Sequence, residues 1–471
     1  MSITRKIAHN TIVQILGKII STLLGFVALG MMTRYLGTEQ FGWYITAISF
    51  LQFIGIMTDF GLTPVTAQMM SEQKFDKQKL FQNLLGFRFV TAILFLGLAP
   101  LIALFFPYNR EVKIAISFTS LGFMAIAMNQ VLVGLYQTKL KMHIVSLGEV
   151  VGRIALVAGI WLIIQKGLGF LPIMGAVTIA SLVYTVLLWV RGRQETPVGL
   201  AFDREIWRAI ITKMWPIAIS IIFNVVYLKG DVVLLSLLAA PAEVGLYGAA
   251  YRVLDVMTQS AMMLMGVLLP LLAFSWSRGN KEEFKKRYQQ SFDAMMLFAL
   301  PMMIGTIALA NPIMKFIAGL QFASSGGILA ILAIAVFGVY LGAVFGHTAV
   351  AIDKQKQTMW IYISDAVITL AGYLIFIPRF GLYGAAWMSV FSELYAGALL
   401  FLTIRHYSRE RLRVKTLGKI LLASLAMGAA LFFFNDLHVL WSILVGIVLY
   451  SGFILALRVV SRETLREVLK P

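Results

Sequence analysis

"NVVYLKGDVVLL", residues 224–235, sets Lys229 and Asp231 inside a run that is otherwise almost entirely apolar. The run continues on both sides, from about 209 to 236, with no polar face recurring at helical spacing. A hydrocarbon core of about 30 Å takes about 20 helical residues to cross, so this stretch reads as a membrane span. In hydrocarbon every backbone N–H and C=O must be satisfied within the segment, so a span of this length is an α-helix.

The rest of the chain repeats the pattern. Of 471 residues, 59% are hydrophobic and 13% charged, against about 25% charged in soluble domains. Fourteen stretches qualify as spans: 11–33, 41–60, 81–104, 112–137, 143–165, 171–190, 209–236, 245–273, 287–309, 325–350, 358–378, 381–404, 416–434 and 438–457. The predicted class is an all-α polytopic membrane protein. The first stretch is too long for a cleaved signal peptide and carries Lys18 at its centre. With no cysteine in the chain, disulfides and thiolate metal sites are excluded.

Lysine and arginine set the orientation, because cytoplasmic loops retain them. With the N-terminus inside, 29 basic residues fall on the cytoplasmic side and six on the other. Both termini are therefore expected in the cytoplasm. The formal charge of +18 follows from this topology and from contact with anionic membrane lipids, and nucleic-acid binding is not implied.

Transporters are commonly built from duplicated bundles. "RYLGTEQFGWYITA" at 34–47 aligns with "LLAAPAEVGLYGAA" at 237–250, matching Gly42 with Gly245, Tyr44 with Tyr247 and Ala47 with Ala250. "PIMGAV" at 172–177 stands beside "GLYGAA" at 381–386 at a similar separation. The expected division is an N-terminal lobe at 1–195, a C-terminal lobe at 196–410, and two further helices with a tail at 411–471.

Five basic residues lie within spans: Lys18, Arg88, Arg153, Lys229 and Arg252. A charge at the bilayer centre costs about 2.5–3.5 kcal/mol on insertion scales, so such residues face a bundle interior or water. Acidic residues within or at the edge of spans are Asp59, Glu149, Asp231, Asp255, Asp293, Asp365 and Glu393. Glu149 and Arg153 are four apart on one face and Arg252 and Asp255 three apart, so each couple is placed to pair. Lys229 and Asp231 point about 200° apart on an ideal helix and cannot pair with each other. One faces a cavity and the other a neighbouring helix, unless Gly230 loosens the turn. Lys18 has no acid within one turn of its own helix, which makes it the first candidate for a cavity cation. Arg88 sits near a cytoplasmic end, where it can snorkel.

"GEVVG" at 148–152 and "GVYLGAVFG" at 338–346 carry the small-residue spacing that lets membrane helices approach closely. No P-loop, HExxH, GxSxG or clustered histidine appears, so neither an enzyme nor a metal or cofactor site is expected.

"RYLGTEQFGWYITAISF" (34–50), "DFGLTPVTAQMMSE" (59–72), "KGDVVLLSLLAAPAEVGLYGAAYRVLD" (229–255) and "FGLYGAAWMSVFSE" (380–393) resemble the recurring blocks of Wzx-type polysaccharide and O-antigen flippases. These form the polysaccharide synthase branch of the multidrug/oligosaccharidyl-lipid/polysaccharide superfamily. The resemblance implies two six-helix lobes around a central cavity plus two C-terminal helices. It implies a cargo of undecaprenyl-diphosphate-linked oligosaccharide moved across the cytoplasmic membrane by alternating access, with a polysaccharide polymerase or other assembly proteins as candidate partners. In that setting the five cations would meet diphosphate, while Asn224, Tyr227, Gln259 and the carboxylates Glu149, Asp231, Asp255, Asp365 and Glu393 could contact sugar or carry coupling. Three alternatives remain open: a cation-coupled drug or small-molecule antiporter, a lipid II-type flippase and a membrane glycan polymerase. Lys18 stands where the antiporter branch would favour an acid, and a polymerase would need a large outer loop.

Overall fold

A computed structural model describes residues 3–59, 61–71, 75–433 and 437–459. The described residues form helices joined by short connections, without strands: α1 Ile3–Asp59, α2 Leu62–Ser71, α3 Lys77–Leu96, α4 Ala99–Leu104, α5 Arg110–Thr138, α6 Met142–Gln165, α7 Phe170–Arg193, α8 Arg204–Leu238, α9 Pro241–Ser277, α10 Lys281–Ala318, α11 Ser325–Ala351, α12 Gln355–Ser408, α13 Lys415–Phe433 and α14 Val439–Ala456. A single 3₁₀ turn, Leu320–Phe322, precedes α11.

Eleven helical stretches among the described residues are long and apolar enough to cross a membrane, α3 and α4 forming one of them. Two are far too long to be one crossing: α1 has 57 residues and α12 has 54, or about 80–85 Å at 1.5 Å per residue. Each contains one glycine in the left-handed half of backbone space, Gly37 (φ 68°) and Gly381 (φ 55°). Only glycine reaches such angles without steric cost. The α12 halves fold back on each other, since Ser364 faces Tyr395 at 3.1 Å and Tyr373 faces Ser389 at 3.1 Å. Dividing both helices and adding α8 gives about fourteen crossings, in agreement with the sequence.

The chain forms two compact units, Met1–Gly245 and Leu246–Pro471. In the first, α1 packs on α5 and α6, α7 on α5 and α6, and α3 on α5. The α1–α6 contacts advance together along both helices: Gly17 lies on Ser146, Gly25 on Arg153, and the Tyr35 hydroxyl donates to the Leu168 carbonyl. The first and fifth crossings thus run the same way, as alternation requires. Helix α8 packs on α1, α2 and α3 and so belongs with this unit. One apolar core gathers Leu62, Leu84, Leu132, Tyr136, Leu188 and Ile206 from five helices.

In the second unit α11 packs on α10 and α12, and the C-terminal helices α13 and α14 both pack on α10. Their attachment is specific: the Tyr450 hydroxyl donates to the Leu297 carbonyl at 2.8 Å, and Met427 and Leu431 of α13 pack on Leu309 of α10.

Both glycine motifs lie at close helix contacts. A Cβ on Gly148 would stand 2.8 Å from the Tyr184 ring and one on Gly152 would stand 3.1 Å from Tyr184 Cβ, so α6 lies directly on α7. A Cβ on Gly338 would meet Glu393 Cβ at 2.7 Å. Gly342 has open space, so in the second motif the outer glycines carry the contact.

Candidate functional site

The lipid-facing side of each helix can be read from its exposed apolar residues. On α1 these are Ile12, Ile15, Leu16, Ile19, Ile20, Leu23 and Val27, which form one stripe at about 100° per residue. Lys18 projects about 135° away from the middle of that stripe. On α6, Leu147, Ile154 and Trp161 are exposed, and Glu149 projects about 140° from them. Both charges therefore turn away from lipid, towards the α1–α6 seam.

There they meet. Lys18 Nζ lies 3.1 Å from Glu149 Oε1, and the buried Ser21 hydroxyl donates to the same oxygen at 3.0 Å. The two charged side chains remain 42% and 27% exposed. An ion pair with that much open surface within a span, facing away from lipid, is tolerable only where the surface meets water or a polar cargo.

The pairing differs from the sequence expectation. Glu149 does not take Arg153 along its own helix. Two donors from α1 converge on one carboxylate oxygen, and two hydrogen bonds outweigh a single i,i+4 contact worth only a few tenths of a kcal/mol. Arg153 is left exposed, its guanidinium lying 4.0 Å from the Cβ position of Gly25, and it forms no ion pair among the described residues.

Arg88 has the opposite character. Fully buried at 0% exposure, it pairs with Asp59 and donates from Nη1 to the Thr58 carbonyl at 2.9 Å. Thr58 is in the last turn of α1, where carbonyls lack helical partners and the helix dipole is negative. Arg88 thus caps that end and ties α3 to α1, and no snorkelling occurs.

Helix α8 runs unbroken through Gly230. Asp231 is buried at 1% exposure, whereas Lys229 keeps partial access. Of the two charges, then, the lysine is the accessible one. Asn224 and Tyr227 lie outside the described side chains.

In the second unit Arg252 and Asp255 form the expected i,i+3 pair, at 3.7 Å and about 30% exposed on each side. Gln259 is exposed on the same helix. Asp365 is fully buried and accepts hydrogen bonds from Thr369 and Ser392 hydroxyls, both at 2.9 Å, which links the two halves of α12. Glu393 is half-buried against Gly338. Asp293 accepts from Gln289 at 3.0 Å.

Sequence reasoning passed over two features. Ser21 is one turn beyond Lys18 on the same face, a spacing that marks a shared partner. The second is the connection 194–203 between α7 and α8, whose lysine partners read only as topology signals. Glu195 takes Lys141 at 2.6 Å and Lys139 at 3.6 Å, while Asp203 takes Lys79 at 2.6 Å. Main-chain Ala201 N–H donates to the Gln82 carbonyl at 3.1 Å, and Asp203 N–H to Asn83 Oδ1 at 2.6 Å. Gly86 lets this strap come down onto α3: a Cβ there would lie 2.2 Å from the Ala201 carbonyl oxygen. The Lys141 hydrogen bond holds the Glu195 carboxyl below the usual range. The Lys79 hydrogen bond, with the Ile206 N–H, does the same for Asp203.

The comparisons with known proteins agree with this architecture. The family profile described as "Polysaccharide biosynthesis protein" matches residues 7–276, more than half of the chain. A putative O-antigen transporter of Shigella flexneri is 22% identical over 395 residues, 81% of this chain and 93% of the relative. The succinoglycan biosynthesis transport protein ExoT of Rhizobium meliloti is 24% identical over 318 residues, 66% of this chain and 62% of the relative. Among solved structures, the lipid II flippase MurJ in an inward closed conformation superposes with a TM-score of 0.77 at 17% identity, covering 98% of this chain and 100% of that one. The fold is that of this transporter class, and the chain belongs to the polysaccharide biosynthesis protein family.

Proposed function

We propose that the protein moves a lipid-linked oligosaccharide, of the undecaprenyl-diphosphate type, across the cytoplasmic membrane for surface polysaccharide assembly. The observation that carries this reading is the accessible Lys18–Glu149 pair with Arg153 beside it, set within spans but turned away from lipid. A lipid diphosphate is anionic, and its sugar is polar. A cationic, wetted seam can take both while the prenyl chain stays in hydrocarbon. The names of the relatives in Shigella flexneri and Rhizobium meliloti, an O-antigen transporter and a succinoglycan transport protein, support a glycan cargo rather than a drug.

In this reading the cation surface is exposed first to one side of the membrane and then to the other, with both termini cytoplasmic. Arg252 and Lys229 contribute further cations, Asn224, Tyr227 and Glu393 are candidate sugar contacts, and Asp231, Asp255 and Asp365 are candidates for coupling. A polysaccharide polymerase is a candidate partner. The test is flipping of a fluorescent undecaprenyl-diphosphate-linked sugar by the protein reconstituted in liposomes. Wild type should translocate it, and Lys18→Ala with Lys229→Ala should abolish translocation while leaving the protein monodisperse. Translocation unaffected by the double substitution refutes the site. Failure of wild type to move this sugar, together with movement of lipid II, would shift the cargo to the peptidoglycan precursor.

A further inference from the structure

Glu149 has a choice of two cations. Lys18 reaches it from α1 at 3.1 Å, while Arg153 stands one turn further along α6, on the same face and without a carboxylate among the described residues. We infer that Glu149 is a resident counter-ion which competes with the diphosphate of the cargo for Lys18, a positioning residue that sets both capture and release. This rests on the function proposed above.

The physical case begins with the cost of an empty site. An ammonium within a span, with no anion beside it, carries a heavy desolvation penalty, and Glu149 relieves it when no cargo is bound. Ser21, only 2% exposed, fixes the carboxylate from behind through its hydroxyl at 3.0 Å, with Lys18 bridging from the open side. A diphosphate arriving at Lys18 supplies more negative charge than one carboxylate and displaces it. Glu149 is then next to the Arg153 guanidinium at i+4, in the favoured acid-before-base order. The carboxylate passes from Lys18 to Arg153 without ever being left without a cation. When the cargo is to leave, Glu149 is on hand to retake Lys18. A site of bare cations would hold a lipid diphosphate tightly and release it slowly; a resident carboxylate weakens binding and speeds departure.

The inference separates affinity from turnover. With the chain in nanodiscs and radiolabelled undecaprenyl diphosphate as probe, Glu149→Gln should tighten binding about fivefold, the worth of a partly exposed ion pair. In liposomes the same variant should slow flipping by a similar factor. Lys18→Ala should weaken binding, and undecaprenol, which lacks phosphate, should bind wild type and variants alike. A purely structural Glu149 would instead lose affinity and turnover together when changed to Gln, and that result, or an unchanged affinity, overturns the inference. Should Glu149→Gln fail to fold, Glu149→Asp withdraws the carboxylate from Lys18 by one methylene and must shift affinity in the same direction. Lys18→Ala that leaves undecaprenyl diphosphate affinity intact sinks the functional reading itself. Lys18→Ala that weakens it without tightening by Glu149→Gln sinks only the counter-ion.

Discussion

Removing Asp59 isolates the Arg88 guanidinium, which is 0% exposed and keeps the Thr58 carbonyl at 2.9 Å. Breaking a buried pair from one side costs about 3–5 kcal/mol, because the remaining charge is left without its counter-charge. Asp59 itself is 17% exposed. Its carboxylate can reach solvent once Arg88 is gone, so Arg88→Met should cost less, about 1–3 kcal/mol. The double variant Asp59→Ala with Arg88→Met removes both charges, and it should be more stable than Asp59→Ala alone. The coupling between the two sites then exceeds the cost of Arg88→Met alone, at least about 1 kcal/mol, close to a factor of 5 in the unfolding equilibrium. Reversible unfolding in mixed micelles with increasing SDS, followed by circular dichroism, measures all four corners of this cycle. Single-variant costs that simply add in the double variant would refute the lock, as would an Asp59→Ala cost under about 1 kcal/mol.

The strap yields a pH dependence. Glu195 and Asp203 have folded pKa values below the ordinary carboxylate range, so their contribution is complete above the unfolded values, near 4, and fades as pH falls through the folded ones. Proteolysis at 194–203 should accelerate below about pH 4 in wild type, and acid-independent cleavage would contradict the pairing. Gly86→Val places side-chain atoms where a Cβ already meets the Ala201 carbonyl at 2.2 Å. Since main chain cannot swing aside, the variant should lose about 1–3 kcal/mol and expose the strap to protease at neutral pH. Gly148→Leu should separate α6 from α7 at Tyr184 and lower the thermal midpoint in detergent, whereas Gly342→Ala, with open space around it, should leave that midpoint unchanged.

How far the sequence could be read depended on the range of the interaction concerned. The spans were legible because crossing hydrocarbon demands about 20 apolar residues in succession, a local property. The i,i+3 pair Arg252–Asp255 was legible for the same reason. Lys18–Glu149 spans 131 positions and Arg88–Asp59 spans 29, and no helical spacing relates such partners. Glu149 looked committed to Arg153 because periodicity shows neighbours on its own helix and is blind to Ser21 and Lys18 arriving from another. The reversal at Gly37 was legible too, because Arg34, Thr38, Glu39 and Gln40 interrupt the apolar run between two spans, while its φ of 68° shows how the backbone makes the turn.

The two kinds of intramembrane pair divide by exposure, and exposure decides what each can do. Arg88 at 0% cannot release Asp59 for a ligand without opening the seam between α1 and α3, so its charge is spent on holding a helix end. Lys18, with 42% of its side chain exposed, is open to a second partner in a way that Arg88 is not. Sequence placed both cations in one class, as charges inside spans with a cost to explain. The cost is met differently in each case: by a buried acid contact and a helix carbonyl for Arg88, and by a partly exposed acid for Lys18. A site that must bind an anion on one side of a membrane and surrender it on the other needs the second kind, and the first keeps its walls in place while it works.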